Sequence, residues 1–372
     1  MKMAYVINSL EGGGAQSPIP HLFRVLKSQG VDVKLYALSK RNGLAIPILD
    51  AANVNWTCFT GHKKEHIKAA LWLRKELRRD SPDVIWTSLT QATLIGQILG
   101  LMSETPVVSW QHNTYLKPAN KALLKLTKSL SKLWVTDSQA VKDLMVERLG
   151  LNPEKTVIWP LFFADSKAPQ VKAIEEDEPV RIASLGRLHP NKGYDILLEA
   201  IAKLKSQKTL PPFEINIAGQ GAQKQNLDAL KEKLDVTEVN FVGHVTDPLA
   251  FLSAHHAYIQ PSRAEGLGIA AHEAMQAGLP ILCSRVGQMA VTNQDARSGW
   301  LCEPENIDSL AKSLDSLLSN RENLHLYGQK IRRTVLQDYS QACFDEAGRD
   351  FLDHIRRCLM KSPSPSVVVE GA

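Results

Sequence analysis

The stretch PSRAEGLGIAAHEAMQAGLP, residues 261–280, sets two carboxylates, Glu265 and Glu273, eight positions apart around mostly small and apolar residues. Two carboxylates can act as acid and base, or as acceptors for a ligand rich in hydroxyls. The local pattern separates these roles. AYIQPS reads as a buried strand, and Arg263 to Gly268 as the loop at its carboxyl end. The two glycines of that loop let backbone N–H groups approach a ligand. Ile269 to Gln276 reads as a helix that Gly278 terminates. Glu265 therefore sits in a loop and Glu273 in a helix, two acceptors spread along one elongated ligand lying over the helix start.

A second segment, ASLGRLHPNKGYDILLEAIAKL, handles charge differently. Its strand ends in a loop with Gly186, Arg187, Lys192 and Gly193, and an amphipathic helix follows with Ile196, Leu197, Ala200, Ile201 and Leu204 on its apolar face. Arginine offers a planar fork and lysine a mobile point charge, and both suit a diphosphate. No D-x-D motif lies at a strand end, and Glu176, Asp177 and Glu178 read as a solvated charge run. A leaving diphosphate would then be neutralised by Arg187, Lys192 and helix N-termini, without a required metal. Two further loops sit at strand ends. NSLEGGGAQSP follows the first strand with Gly12, Gly13 and Gly14, and PVVSWQHNTYLKP ends its strand at His112.

Short β-rich runs alternate with helical patterns to position these residues. MAYVINS, VDVKLYAL, VNWTCFT, DVIWTSL, PVVSWQH, LWVTDS and TVIWP precede VRIASLGRL, FEINIAGQG, VNFVGHV, HAYIQPS and PILCSR. Such alternation implies parallel sheets with helices on both faces. Two runs predict an α/β chain of two doubly wound, Rossmann-like domains facing across a cleft, with ligands at strand carboxyl ends. The expected boundaries are a first domain over 1–165, a polar linker over 166–179, a second domain over 180–338, a helix over 339–360 crossing back to the first domain, and a disordered tail over 361–372.

The chain has 372 residues, more than one core usually serves, and a net charge of +5 that is unevenly placed. Residues 1–170 carry 22 Lys and Arg against 13 Asp and Glu, so the first half suits an anionic partner. The five cysteines show no C-x-x-C spacing, which suits a reduced, cytoplasmic protein without zinc. No apolar run approaches the ~20 residues of a membrane span, and MKMAYVINS reads as a strand, not a signal peptide. In YLKPANKALLKLTKSLSKLW, Lys117, Lys121, Lys125, Lys128 and Lys132 are spaced four, four, three and four, which on a continuous helix aligns all five. A lysine stripe bordered by leucines suits an anionic membrane surface or a polyprenyl-diphosphate acceptor, and HKKEHIKAALWLRKELRR adds a second basic helix.

The Glu265/Glu273 segment resembles the E-x7-E motif of retaining GT-B glycosyltransferases, specifically glycosyltransferase family 4. LGRLHPNKG resembles that family's GR…KG loop, FEINIAGQG its second strand, VNFVGHV its nucleobase-side turn, and EAMQAGLPILCSRVG with SGWLCEPENIDSLA its closing stretch. The resemblance covers the second domain and, more weakly, the first. It implies that Glu273 accepts hydrogen bonds from both ribose hydroxyls and that Glu265 faces the hydroxyls of the donor sugar. It places the amides of Gly266, Leu267, Gly268 and Ile269 at sugar and diphosphate, and the turn at Gly243, His244 and Val245 against the base. Gly13, Gly14, Gly186 and Gly219 would line the same donor site, the first two also approaching the acceptor. His112 matches the family histidine that meets the transferred sugar, which with Glu265, Arg187 and Lys192 completes the expected catalytic group.

The chain departs from the pattern at Gln16 and Ser17, where the family often has Glu-Arg, and at Gln288, where it has a second glycine. The resemblance implies retention of anomeric configuration, read here as front-face attack, with a hexose or N-acetylhexosamine from a UDP-sugar passing to a glycan or lipid-linked acceptor of a bacterial polysaccharide or lipopolysaccharide. No cofactor, metal or nucleic acid is expected. The expected location is cytoplasmic, peripheral on the inner face of the plasma membrane. A GT-B epimerase or phosphorylase, or a non-catalytic nucleotide-sugar-binding subunit, is the alternative. A dinucleotide oxidoreductase is disfavoured, because no acidic residue follows GGG at ribose-binding distance.

Overall fold

The structure is a computed structural model that describes residues 1–62, 64–112, 116–171, 173–175, 177–296 and 299–360. The expected tail over 361–372 and Glu176 lie outside the described residues. The chain forms two compact units. One comprises Met1–His112, Leu116–Leu161 and the chain from Phe344 on, and the other Phe162–Cys343.

The first unit runs β1 (Lys2–Ile7), α1 (Ile19–Ser28), β2 (Asp32–Ala37), α2 (Ile46–Ala51), β3 (Trp56–Cys58), α3 (His66–Asp80), β4 (Val84–Ser88), α4 (Thr90–Ser103), β5 (Val107–Gln111), α5 (Pro118–Thr127), β6 (Ser131–Thr136), α6 (Gln139–Leu149) and β7 (Thr156–Ile158). Its seven parallel strands lie in the order β3-β2-β1-β4-β5-β6-β7. The central strands are buried on both faces because helices cover both. Trp86 of β4 stacks on Trp110 of β5 at 5.0 Å and on Trp159 beyond β7 at 5.7 Å. This aromatic layer backs the carboxyl ends of β4 and β5.

The second unit runs β8 (Val180–Leu185), α7 (Tyr194–Gln207), β9 (Phe213–Ala218), α8 (Lys224–Lys233), β10 (Val239–Gly243), α9 (Pro248–Ser253), β11 (Ala257–Gln260), α10 (Ile269–Gln276), β12 (Ile281–Ser284), α11 (Gly287–Ala296), β13 (Trp300–Cys302), α12 (Ile307–Ser319) and α13 (Leu324–Asp338). Its six parallel strands lie in the order β10-β9-β8-β11-β12-β13. β13 falls within SGWLCEPENIDSLA, where the sequence reading had no strand. Only three residues pair there, too few for a periodic signal. The last helix, α14 (Gln341–Met360), seats Phe351 against Trp86 and Trp159 in the first unit.

Two expectations are corrected. The five lysines do not share a helix face. Lys117 caps α5, Lys128 lies in a short 3-10 turn with its ammonium on the carbonyls of Leu149 and Gly150, and Lys132 is on β6. Pairing of Ser131–Thr136 with β5 and β7 overrides the helical period there. Only Lys121 and Lys125 stay on α5. Glu178 is not a solvated charge either, because it pairs with Arg181 and lies 3.4 Å from His256. The described part of the expected linker is tied to the second unit. Arg332, on α13 and buried, donates to the carbonyls of Gln276, Ser166 and Ala168, and the Val171 amide donates to the Ala277 carbonyl.

Candidate active site

In the second unit the strand order reverses between β8 and β11, which are neighbours. A doubly wound sheet opens its ligand crevice at such a point. The loop after β8 carries Arg187 and Lys192, and the loop after β11 carries Glu265. Reversal of strand order thus brings together segments some seventy residues apart. Lys192 Nζ lies 2.6 Å from Glu265 Oε1. The same oxygen accepts from Gln260 Nε2 at 2.7 Å and Ser262 Oγ at 2.8 Å. Gln260 is oriented in turn by the Tyr258 hydroxyl, which donates to its Oε1 at 2.7 Å. The sequence reading named neither Gln260 nor Ser262. Their signal was polarity at the end of an otherwise apolar buried strand.

Arg263, also unassigned by the sequence reading, clamps the two loops together. Its guanidinium grips Asp195 in a fork at 2.9 and 2.8 Å and reaches Glu305 at 2.9 Å, while its amide donates to the Asn191 carbonyl at 2.7 Å. Burial alone would raise the Asp195 carboxyl, but its bonds to Arg263 hold it below the usual range. Gly193 packs so closely that a Cβ would stand 2.0 Å from the Pro261 carbonyl oxygen, at φ +67°. Arg187 is exposed and, among the described residues, has no ion-pair partner. Burial and the two cations Arg187 and Lys192 lower the neighbouring His189.

Glu273 is on α10, half-buried, and among the described residues nothing donates to its carboxylate. Burial pushes its carboxyl up to about 7. Helix α10 starts at Gly268, in the left-handed region, with no side chain capping its first amides. His272 braces this start, its Nδ1 3.0 Å from the Gly268 carbonyl, and burial lowers its imidazole to about 4, so that it is neutral. The Gln288 amide donates to the Gly266 carbonyl at 2.9 Å, a bond that glycine would make equally. Gly186 and Gly219 follow β8 and β9, Gly243 ends β10, and the Gly219 amide donates to the Gly243 carbonyl at 2.7 Å. His244 is exposed and Val245 half-buried against the core. Leu267 is also core, so the loop offers its backbone and not that side chain. Among the described residues no three His, Cys, Asp or Glu side chains are gathered to hold a metal ion.

The first unit holds its own cluster. His112, at the end of β5, has Nδ1 2.9 Å from Asp137 Oδ1 and Nε2 2.7 Å from Ser88 Oγ. Trp110 Nε1 donates to the same Asp137 oxygen at 2.5 Å. Ser88, His112 and Asp137 stand at the carboxyl ends of β4, β5 and β6, three adjacent strands. Ser88 is fully buried, so this Ser–His–Asp string does not present a nucleophile to solvent. In the glycine-rich loop, Gly13 accepts from the amides of Gln16 and Ser17, and buried Gln16 holds the Ser9 carbonyl at 3.2 Å. Gln16 thus braces the loop that carries Gly13 and Gly14.

Comparison with known proteins agrees with this architecture. Residues 165–334 match the family Glycosyl transferases group 1, and residues 12–164 match Glycosyltransferase Family 4. An uncharacterized glycosyltransferase of Haemophilus influenzae is 28% identical over 90% of this chain and 95% of its own length. The lipopolysaccharide core biosynthesis glycosyltransferase LpsE of Rhizobium meliloti is 22% identical over 90% and 94%. The crystal structure of Anabaena HepE in complex with UDP-glucose superposes with a TM-score of 0.81 at 18% identity, over 95% of this chain and 99% of that one. The fold is therefore GT-B, and the chain is an enzyme of the glycosyltransferase class. Its second half carries a domain of the group 1 glycosyltransferases, and its first half is similar to the family 4 type.

Proposed function

We propose that this enzyme transfers a hexose or N-acetylhexosamine, with retention, from a UDP-sugar to a glycan or polyprenyl-diphosphate-linked acceptor. Its setting would be the assembly of a bacterial polysaccharide or lipopolysaccharide in the cytoplasm, at the inner face of the plasma membrane. The observation that carries the donor assignment is Glu273, a carboxylate raised to about 7 by burial and left without a protein donor. A ribose supplies two adjacent hydroxyl donors, which match its two acceptor oxygens. The uncapped first turn of α10, with Lys192 and Arg187 nearby in the fold, suits the diphosphate. The names of HepE in complex with UDP-glucose and of LpsE point the same way.

In this reading the diphosphate leaves toward Lys192, Arg187 and the amides of Gly266 to Ile269. The acceptor hydroxyl enters on the same face, and a phosphate oxygen of the leaving group takes its proton. The protein contributes orientation and charge stabilisation, with no covalent sugar–enzyme bond. Glu265, held by Lys192, Gln260 and Ser262, would receive sugar hydroxyls as a fixed acceptor. His112 would meet the sugar by exchanging the Ser88 hydroxyl for a sugar hydroxyl at Nε2, while Asp137 holds Nδ1.

Thermal-shift and calorimetric titration with UDP, GDP and ADP sugars tests the donor, followed by release of labelled sugar with and without a lipid acceptor. Stabilisation by UDP-sugars alone, and transfer with retained configuration, is the expected result. An inverted product would end the front-face assignment.

A further inference from the structure

Twelve large apolar side chains stand exposed on the described surface, and seven of them lie on three consecutive helices. Ile67 and Leu71 are on α3, Ile98, Leu101 and Met102 on α4, and Leu123 and Leu126 on α5. Each of these helices crosses between strands in the same direction along the sheet, so right-handed crossovers place all three on one face. Their inner sides fill the core there, Ala69, Leu73 and Leu77 from α3 meeting Ala92 and Leu99 from α4, with Leu124 of α5 near Leu94. The exposed leucines and isoleucines are thus a second apolar side, which a helix covered on one face by its own sheet does not need.

Charge follows the same face. Arg74, Lys75 and Arg78 of α3, with Lys121 and Lys125 of α5, have no ion-pair partner among the described residues. The acidic residues of α3 are already neutralised, Glu76 and Asp80 by Arg79. Between the carboxyl ends of α3 and α4 lies a pocket of about 320 Å³, lined by Arg74, Arg78, Ser81, Ser103 and Thr105 together with apolar stems. The hydroxyls of Ser81, Ser103 and Thr105 donate to neighbouring protein oxygens, so the guanidinium groups of Arg74 and Arg78 are the donors that suit a phosphate-bearing headgroup. Among the described residues no helix is long and apolar enough to cross a membrane, so the chemistry is that of lying on a surface.

We infer that the outer faces of α3, α4 and α5 dock this protein on a bilayer containing anionic phospholipid. Apolar side chains enter the interface, and the five unpaired cations meet the headgroups. The docking face therefore lies across three helices, not along the lysine register read from the sequence. It names the docking face for the membrane setting of the proposed function and rests on that part of the reading, while vesicle binding, read without sugar transfer, tests it apart from the donor assignment.

Flotation of the full chain with phosphatidylcholine vesicles, with and without phosphatidylglycerol, tests this. The wild type is expected to float only with the anionic vesicles, and less as salt rises. Leu71→Glu with Leu101→Glu, and separately Arg74→Glu with Arg78→Glu, should each cut the bound fraction by about tenfold or more. All four positions are on the surface, and circular dichroism melts check that the variants stay folded. Equal binding to both vesicle types, or wild-type binding by both variants, overturns the inference. So does concentration-dependent dimerisation that Leu71→Glu abolishes in a protein that does not float, because a second copy would then cover the face.

Discussion

Lys192 Nζ and Glu265 Oε1 are 2.6 Å apart, though seventy-three residues separate them in the chain. The contact joins the loop after β8 to the loop after β11. The cation proposed for a diphosphate therefore also holds the carboxylate proposed for the sugar. Replacing Glu265 with Gln keeps the shape and removes the charge that Lys192 neutralises. Transfer by Glu265→Gln should fall by roughly 10²–10³ in kcat, with UDP affinity changed by less than about threefold. Single-turnover transfer beside calorimetric UDP titration separates these, and a large loss of UDP affinity would refute the assignment.

Glu273 predicts a pH dependence. In the proposed donor site ribose hydroxyls would donate to the ionised carboxylate, while burial holds the free carboxyl at about 7. Uridine affinity should therefore climb as pH rises through about 7 and level off above it. In Glu273→Gln the curve should be flat and binding weaker by about 1.5–3 kcal/mol. Uridine itself is the probe, because it carries no titrating phosphate. A Glu273→Gln profile that rises like the wild type would sink the idea.

The same carboxyl should cost stability. Its folded value lies above the ordinary 4.5, so the folded state binds the proton more tightly than the unfolded chain does. Stability falls as pH rises from about 4.5 to about 7, and the full cost is present above that. Glu273→Gln should thus be more stable than wild type at pH 8 by roughly 1–3 kcal/mol, and equal to it near pH 4. Urea denaturation at the two pH values measures the difference.

Gly193 closes the loop that carries Arg187 and Lys192. A Cβ there would stand 2.0 Å from the Pro261 carbonyl oxygen, in a left-handed backbone. Gly193→Ala should lose about 1–3 kcal/mol of stability and displace Lys192, lowering kcat/KM more than the melting change alone explains. Wild-type kinetics in this variant would show that the loop has slack.

Asp137 accepts from both Trp110 Nε1 and His112 Nδ1. Asp137→Asn keeps the volume and replaces one acceptor by a donor, which turns the imidazole to the other tautomer. Transfer should slow by at least about tenfold while UDP affinity is unchanged. Nitrogen chemical shifts of His112 read the tautomer directly, and an unaltered spectrum would remove the mechanism.

What was legible in the sequence is local. Alternating strands and helices, the strand–loop–helix around Glu265 and Glu273, and the GR…KG loop all follow from periodicity and glycine placement within a few residues. The five-lysine helix failed because local period was the only guide to it, and strand pairing of Ser131–Thr136 outweighed helical preference. The partners of the site residues were not legible. Lys192 with Glu265, Arg263 with Asp195, and Ser88 with His112 and Asp137 meet only because the order of parallel strands puts distant loop ends side by side. The raised Glu273 carboxyl likewise depends on how much water its neighbours exclude, a property of packing and not of residue type. Sequence thus determined the class of fold and the chemical groups available to it. Tertiary structure decided which of those groups touch, because contact and desolvation are set by the strand order and not by spacing along the chain.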